Sequence, residues 1–342
     1  MVTPPVPSEV EGPVPSEVEG PVPSEVEGLR VVFFGTPRFA VPTLEALLAS
    51  RHQIAGVVTQ PDRPRGRGQK LTDGPVKAVA IARGLPLLQP SRLKDPSMAG
   101  GLEAWRPDLG VVAAYGQIIP TALLALPRFG MINVHPSLLP RYRGAAPVHR
   151  AVIAGDAETG VTIMRVAAKL DSGATFARIT RPIGPDETSE ALEDALAVLG
   201  ARLLVDVVDA LAAGTAHEEP QDERLVTYAA RLTKEEGLID WTQPAQRLHD
   251  RVRGLFPWPH AYTFVEGRRV IVWRTSVRPD ATTDAPGTVV QAGSDGLSVA
   301  TGDGGVLALL ELQSEGGRPL PAAAFLLDSA RPVPPKLSVG RR

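Results

Sequence analysis

Two polar side chains, Asn133 and His135, stand two residues apart in the otherwise apolar run Met-Ile-Asn-Val-His. Side chains at positions i and i+2 of a strand point to the same face, so the amide and the imidazole are predicted to converge on one spot. An amide N–H is a fixed donor that can stabilise a developing oxyanion, and a histidine side chain can accept or give a proton near neutral pH. The pair therefore predicts acyl-transfer chemistry.

A histidine with this role needs a partner that sets its tautomer, usually a carboxylate. Asp171 is the best candidate downstream, because it follows the strand-like run 160–166 and precedes a Ser-Gly turn. A lone Asn-x-His pair is more often a structural hydrogen-bonded pair than a catalytic one. The Ser-Leu-Leu-Pro directly after residue 136 and the Leu-Asp-Ser-Gly around Asp171 favour the catalytic interpretation.

The elements that must position these residues alternate between strand and helix. Residues 29–34 and 54–58 are predicted strands, an amphipathic helix covers 39–50, and 131–135 is a further buried strand. This alternation predicts an α/β domain with a doubly wound, mostly parallel, Rossmann-like sheet, which binds its ligands at the carboxyl ends of the strands. The turn after residue 34 lacks Gly-x-Gly-x-x-Gly, which counts against a nicotinamide dehydrogenase.

The second half of the chain has a different pattern. The longest helical pattern runs from Thr188 to Ala213, with Thr188 as N-cap and Gly214 as the stop, and it closes the first domain. Residues 215–233 are polar and mixed, as expected of a linker. Short apolar runs then alternate with Gly-rich turns up to residue 335, which predicts a small antiparallel β-barrel.

Composition excludes several classes of protein. The chain has 342 residues and no cysteine, so disulfides, thiol catalysis and Cys-based zinc sites are excluded. No uninterrupted apolar run approaches the roughly 20 residues of a membrane helix, and the N-terminus lacks a basic, apolar signal, so a cytoplasmic protein is expected.

Residues 5–28 repeat the octapeptide Pro-Val-Pro-Ser-Glu-Val-Glu-Gly three times. Such a Pro/Glu segment cannot bury a core, so residues 1–28 are predicted to be a disordered acidic tail. The repeat holds six of the 38 acidic residues and none of the 36 basic ones, so the rest of the chain carries a small net positive charge. That balance neither requires nor excludes a nucleic-acid partner.

Several motifs resemble those of one enzyme family. The Asn-Val-His-Pro-Ser-Leu-Leu-Pro at 133–140 and the Leu-Asp-Ser-Gly at 170–173 resemble the signature of the 10-formyltetrahydrofolate-dependent formyltransferases. Within that family, further motifs look like those of the methionyl-tRNA formyltransferases, at 34–37, 59–64, 141–147, 155–160 and 256–259. The resemblance covers residues 29–335 and implies a catalytic domain with the formyltransferase fold over 29–214, a linker over 215–233 and an OB-like barrel that binds tRNA over 234–335.

The resemblance also implies an activity. A formyl group would pass from 10-formyltetrahydrofolate to the free amino group of methionyl-initiator tRNA, for initiation of translation, with no metal, no membrane and a monomeric enzyme. Asn133, His135 and Asp171 would be catalytic, with His135 starting either neutral or protonated. The expected folate-binding residues are Ser137, Leu138, Leu139 and Pro140. Tyr115 and Gln117, at the end of a predicted strand next to the catalytic one, are expected at the edge of the folate pocket, with plain core packing as the alternative.

Two basic clusters are candidate RNA-binding surfaces. A Gly/Pro-rich loop spans 59–70, and seven arginines lie between 247 and 278 against Asp250 and Glu266. The alternative for both clusters is an ordinary solvated surface that binds no RNA. The predicted tRNA-binding residues are Arg63, Arg65, Arg67, Lys70, Lys234, Arg251 and Arg253. Arg141 and Arg143 could meet either the folate glutamate tail or RNA phosphate.

Two alternative functions share parts of this pattern. A formyltransferase that acts on a sugar amine or glycinamide ribonucleotide would keep the catalytic residues but lack the basic loop and the barrel. A non-catalytic RNA-binding protein with a degenerate transferase domain would be expected to have lost one of Asn133, His135 or Asp171, and all three are present.

Overall fold

The computed structural model of the protein describes residues 28–65, 70–293 and 296–328. The predicted repeat tail lies outside the described residues except for Gly28, and so does Arg67. The described chain forms two regions, each organised around its own main sheet. None of its described helices is long and apolar enough to span a membrane.

The N-terminal region alternates strands with helices, as predicted. Its strands are β1 (Arg30–Gly35), β2 (Gln53–Val58), β3 (Pro64–Arg65), β4 (Lys70–Leu71), β5 (Leu87–Leu88), β6 (Leu109–Ala113), β7 (Met131–His135), β8 (Arg143–Gly144), β9 (Glu158–Arg165), β10 (Thr175–Pro182) and β11 (Tyr228–Ala229). Its helices are α1 (Val41–Ala49), α2 (Pro75–Ala82), α3 (Pro96–Trp105), α4 (Thr121–Leu124), α5 (Pro147–Ala154) and α6 (Ser189–Ala213).

Seven of these strands form one mixed sheet in the order β10-β9-β7-β6-β1-β2-β5. The five strands from β7 to β5 run parallel, while β9 is antiparallel to β7 and β10 is antiparallel to β9. The chain winds outward in both directions from β1, so the sheet is doubly wound and mostly parallel, as predicted. The carboxyl ends of β1, β2, β6 and β7 share one edge, where such sheets place their ligand sites.

Both faces of this sheet are buried. On β7, Ile132 and Val134 belong to the apolar layer that contains α1 and α6, and Met131 belongs to the opposite layer with α3. Burial on both faces explains why the strands are apolar throughout. Asn133 and His135 share the face of Met131, so they interrupt a buried pattern at the ligand edge.

Helix α6 begins and ends where its local sequence predicts. The Thr188 hydroxyl accepts a hydrogen bond from the Ala191 N–H at 3.3 Å, and Gly214 ends the helix with φ 70°. That left-handed conformation costs glycine little because it has no Cβ.

The C-terminal region is built on an antiparallel sheet. Its elements are α7 (Ala245–Gly254), β12 (Ala261–Val265), β13 (Arg268–Ala281), β14 (Val289–Gly293), β15 (Gly296–Ala300), β16 (Gly305–Ser314), β17 (Leu320–Pro321) and α8 (Ala322–Asp328). The strand order is β12-β13-β16-β15-β14, with β17 also paired to β16. The predicted OB-like antiparallel fold is thus confirmed.

The two regions meet through helices. α5 packs on α7, and Ala146 and Ile153 of the N-terminal region join the C-terminal apolar core around Trp241. The Trp241 indole is buried, and its Nε1–H donates to the Thr263 hydroxyl at 3.1 Å, so its polar atom is satisfied inside that core. The boundaries at 214, 233 and 335 stay predictions.

Candidate active site

Strand β7 carries Asn133 and His135 to the ligand edge of the sheet. Asn133 lies between Val112 of β6 and Met164 of β9, and His135 is paired with Thr162 of β9. His135 is buried, at 4% exposure, whereas Asn133 is half-buried. Among the described residues the Asn133 amide has no hydrogen-bond partner, so its donor N–H groups are available to a substrate.

The His135 ring faces an oxygen atom with each of its nitrogens. Nε2 lies 3.0 Å from the carbonyl oxygen of Tyr142. A carbonyl can only accept, so Nε2 must carry the proton of that hydrogen bond. Nδ1 lies 3.7 Å from Oδ2 of Asp171, which is within ion-pair range but beyond hydrogen-bond range. The ring is therefore anchored at Nε2, and its Nδ1 edge faces the carboxylate.

Asp171 reaches His135 from the loop between β9 and β10. Its backbone is left-handed, with φ 46°, and its Oδ2 accepts the Gly144 N–H at 2.8 Å. Aspartate tolerates this conformation better than most residues but still needs its surroundings to hold it. Gly173 ends the same turn, and a Cβ added there would lie 1.9 Å from the Arg165 carbonyl oxygen, so position 173 cannot take a side chain unless the loop moves.

Tyr142 is a site residue that the sequence did not reveal. Its backbone is also left-handed, with φ 60°, its N–H donates to the Thr227 hydroxyl at 2.8 Å, and its own hydroxyl donates to Asp156 at 2.8 Å. Burial, with the hydrogen bond to Asp156, raises the pKa of Tyr142 to about 12. These contacts aim its carbonyl at His135. Because every residue has a carbonyl group, no residue type could signal this role.

The structure divides the predicted folate-binding turn after His135 into supporting and accessible residues. Ser137 is fully buried and donates to the Arg141 carbonyl at 2.7 Å, and Leu139 is also buried. Leu138 and Pro140 are half-buried. Ser137 and Leu139 therefore hold the turn, whereas Leu138 and Pro140 are the side chains that can contact a ligand.

Tyr115 and Gln117 follow β6 on the same edge. The Tyr115 ring is buried against Phe34, with ring centroids 5.5 Å apart, and burial raises the pKa of Tyr115 to about 12. Its carbonyl oxygen accepts the Gln60 side-chain amide at 2.7 Å. Tyr115 can therefore meet a ligand only through neighbouring backbone, whereas Gln117 is half-buried and Ile118 is 87% exposed.

The predicted basic loop is partly described. Arg63 is exposed and lines a cavity of about 150 Å³ at the ends of β1 and β2. The neighbouring Asp62 is paired with Lys77, and that hydrogen bond lowers the pKa of Asp62. Arg65 and Lys70 lie opposite each other in the β3–β4 hairpin. Arg63 thus keeps its charge free of the adjacent carboxylate.

The predicted tRNA-binding residues of the C-terminal region differ in exposure. Lys234 is exposed, and Arg251 is half-buried, donating through Nε and Nη2 to the Glu236 carbonyl. Arg251 also lines a cavity of about 350 Å³ between α5 and α7. Arg253 is buried, at 7% exposure, and paired with Asp250 at 2.7 Å, so its guanidinium is committed to the interior.

Arg141 and Arg143 have different surroundings. Arg141 is exposed and paired with Asp156 at 2.8 Å. Arg143 is fully buried, and it pairs with Glu223 at 2.7 Å. The Arg143 guanidinium is therefore not presented to either of the ligands expected for it.

Comparisons with known proteins identify the family of the chain. A family model described as "Formyl transferase" matches residues 29–208, and one described as "Formyl transferase, C-terminal domain" matches residues 231–329. The methionyl-tRNA formyltransferase of Geobacter sulfurreducens is 46% identical over 299 residues, covering 87% of this chain and 93% of that protein. The corresponding protein of Citrifermentans bemidjiense is 47% identical over the same shares.

Solved structures with low sequence identity share the fold. An N-formyltransferase from Helicobacter canadensis, crystallised with folinic acid and dTDP-3-aminofucose, has a TM-score of 0.63 at 14% identity, covering 82% of this chain and 98% of that chain. A sugar 3N-formyl transferase has a TM-score of 0.63 at 15% identity, covering 84% and 97%. The predicted family resemblance is confirmed, and the chain belongs to the formyl transferase family.

Proposed function

We propose that this protein transfers the formyl group of 10-formyltetrahydrofolate to the free amino group of methionyl-initiator tRNA, for initiation of translation. The observation that carries the proposal is the convergence of Asn133, whose amide has no partner within the described part of the chain, and an oriented imidazole, His135, beside the carboxylate of Asp171. The family membership and the two relatives named methionyl-tRNA formyltransferase support the same donor and acceptor.

In the proposed reaction the amino nitrogen attacks the formyl carbon, and negative charge develops on the formyl oxygen. The Asn133 amide stabilises that oxyanion, and His135 does so through Nδ1 in its protonated form, since Nε2 donates to the Tyr142 carbonyl. The bond from the formyl carbon to N10 then breaks, and the proton lost by the amine passes to N10. Asp171 assists this transfer through His135 or a water.

The folate donor is proposed to lie against the turn after His135. Leu138 and Pro140 supply accessible apolar walls, Ser137 and Leu139 hold the turn behind them, and Gln117 lies at the edge of the pocket. Tyr115 contributes through its backbone rather than its buried ring.

The tRNA is proposed to bind along the basic residues on both regions. Arg63 and Lys234 present exposed charges suited to backbone phosphates. Arg65, Arg67, Lys70 and Arg251 are proposed as further phosphate contacts. Arg253 supports this surface from the interior through Asp250. We further propose that the protein is cytoplasmic and monomeric. Light scattering of the purified protein tests the monomeric state through its molar mass.

Formyl transfer from 10-formyltetrahydrofolate tests the function directly. The acceptors are charged initiator tRNA, free methionine and a sugar amine, each at matched amine concentration. Transfer to the tRNA alone is expected. Transfer to the sugar amine in preference to the tRNA would overturn the proposed acceptor, and transfer to none of them would overturn the proposed activity.

A further inference from the structure

The segment between α6 and the C-terminal region pairs with the active-site loop. Strand β11 runs parallel to β8, and the N–H of Arg143 donates to the Thr227 carbonyl at 2.9 Å. One residue later than β8, the Ala145 N–H donates to the Ala229 carbonyl at 2.9 Å. Residues 215–233, predicted as a linker, therefore form part of the wall around His135.

Gln221 lies in this segment with its amide group fully used. The side chain is 9% exposed. Its Oε1 accepts from Nε and Nη2 of Arg143 at 3.0 and 2.8 Å. Its Nε2 donates to the backbone carbonyls of Asp171 and Gly173 at 2.9 and 2.8 Å. A primary amide has two donor hydrogens, so both are directed at the loop that carries Asp171.

Arg143 determines which way this amide points. A guanidinium only donates, so it selects the oxygen of the Gln221 amide and turns the NH₂ group towards the two carbonyls. The Arg143 side chain is fully buried, and Glu223 balances its charge through a 2.7 Å contact with Nη2. The orientation of Gln221 is therefore set by a fixed neighbour.

The loop that receives these hydrogen bonds needs support. Asp171 is left-handed, a conformation that non-glycine residues keep only when their surroundings hold it. The Gly144 N–H holds the Asp171 carboxylate on one side, and Gln221 holds the Asp171 carbonyl on the other. If either hydrogen bond is lost, the backbone torsions that aim the Asp171 carboxylate at His135 are less restricted.

We infer that Gln221 is a positioning residue of the formyl-transfer site: its amide clamps the carbonyls of Asp171 and Gly173, and so fixes the Asp171 carboxylate against His135. This inference rests on the proposed function. Residues 215–233, between the two regions, then contribute a side chain that positions a catalytic residue.

Two substitutions separate the parts of this clamp. Gln221→Glu keeps an oxygen acceptor for Arg143 but replaces the amide donor with a carboxylate that repels both carbonyls. Gln221→Met keeps the length of the side chain and removes every hydrogen bond. Gln53→Leu is the matched control, since Gln53 also accepts from an arginine, Arg30, but lies at the amino end of β2, on the opposite edge of the sheet.

For Gln221→Glu we expect kcat for formyl transfer to fall roughly tenfold to a hundredfold, since small misplacement of a catalytic group costs about that much. KM for the tRNA should stay within about twofold. The unfolding temperature should fall, because two buried hydrogen bonds are lost, but the protein should still fold because the Arg143 contact remains. Gln221→Met should lower kcat as well, and Gln53→Leu should leave it unchanged. A wild-type kcat in Gln221→Glu would overturn the inference.

A double-mutant cycle with Asp171→Ala distinguishes positioning from general support of the fold. If Gln221 acts through the Asp171 carboxylate, Gln221→Glu should lower kcat by less than about twofold once that carboxylate is absent. An equal loss in both backgrounds would overturn the inference and leave the proposed function standing. A wild-type protein without formyl transfer would instead overturn the proposed function, and this inference with it.

Discussion

Nδ1 of His135 and Oδ2 of Asp171 lie 3.7 Å apart, a separation that an ion pair tolerates and a hydrogen bond does not. The His135 ring cannot close the gap easily, because the Tyr142 carbonyl holds Nε2 at 3.0 Å. Shortening must therefore come from a small adjustment of the Asp171 side chain, while Gln221 holds its backbone carbonyl. Catalytic contacts often tighten only when substrate is bound, so we expect this distance to shorten in the complex.

Asp171→Asn tests whether the site needs the charge or only the loop conformation. Asparagine tolerates left-handed backbone and keeps an oxygen for the Gly144 N–H, so the fold should be retained. We expect kcat to fall about a hundredfold, the lower end of what a proton-transfer group contributes. The measurement is steady-state formyl transfer together with thermal unfolding. A wild-type kcat in this variant would show that the negative charge is not used.

Asn133→Ala and His135→Ala should each lower kcat at least about a hundredfold with a modest change in KM, because each removes a group that stabilises the oxyanion. His217→Ala is the matched control, since His217 is an exposed histidine of the 215–233 segment. Single-turnover transfer at saturating tRNA measures the chemical step. Near-normal turnover in either site variant contradicts its catalytic assignment.

Gly173→Ala should impair both the loop and the reaction. The new methyl group would meet the Arg165 carbonyl oxygen at 1.9 Å, so the loop with Asp171 must shift. We expect a lower unfolding temperature and a kcat reduced by at least about tenfold. Gly100→Ala is the control, because nothing lies within 4 Å of a Cβ there and the site is in helix α3, where alanine is favoured by about 0.5–1 kcal/mol. Similar behaviour of the two variants would contradict the packing argument.

His52 should make the free energy of unfolding depend on pH. Its side chain is buried and its Nδ1 accepts the Leu29 N–H at 3.0 Å. Burial lowers the pKa of His52 below its ordinary 6.5, against the opposing effect of Asp209. The unfolded chain therefore binds the proton more readily, so stability is fully present above about pH 6.5 and is lost as pH falls through the lowered pKa.

Urea unfolding at about pH 7.5 and about pH 5.5 measures this dependence. The variant His52→Asn keeps an oxygen acceptor for the Leu29 N–H and does not titrate, so it should lose less stability on acidification than the wild type. His149 and His260 also have pKa values lowered by burial, so part of the dependence should remain in the variant. An identical pH dependence in both proteins would exclude His52 as a contributor.

Binding of initiator tRNA should weaken when Arg63 or Lys234 is replaced by alanine. Each phosphate contact contributes about −0.9 to the slope of log K against log salt concentration, so each variant should have a shallower slope by about that amount. Arg128→Ala is the control, because Arg128 is exposed but pairs with Asp108 at the opposite edge of the sheet. If the slope of log K against log salt concentration is unchanged in Arg63→Ala and Lys234→Ala, neither residue contacts a tRNA phosphate.

The sequence by itself determined features that depend on neighbours along the chain. Helix α6 begins after Thr188 and ends before Gly214, as predicted, because capping is set by the residues at each end. Asn133 and His135 share one face because the period of a strand is two residues. The alternating strand and helix patterns also specified the mostly parallel sheet and the antiparallel C-terminal region.

Only the tertiary structure decided which polar groups are free and which are already paired. Arg253, predicted from local basic composition to bind tRNA, is buried against Asp250. Arg143 is buried with Gln221, which is 78 residues away in sequence, and Gln221 holds Asp171 across 50 residues. The Tyr142 carbonyl that anchors His135 belongs to the backbone. Residue type and spacing specify local conformation, whereas the partner that neutralises a charge or aims a carbonyl is set by packing between distant segments.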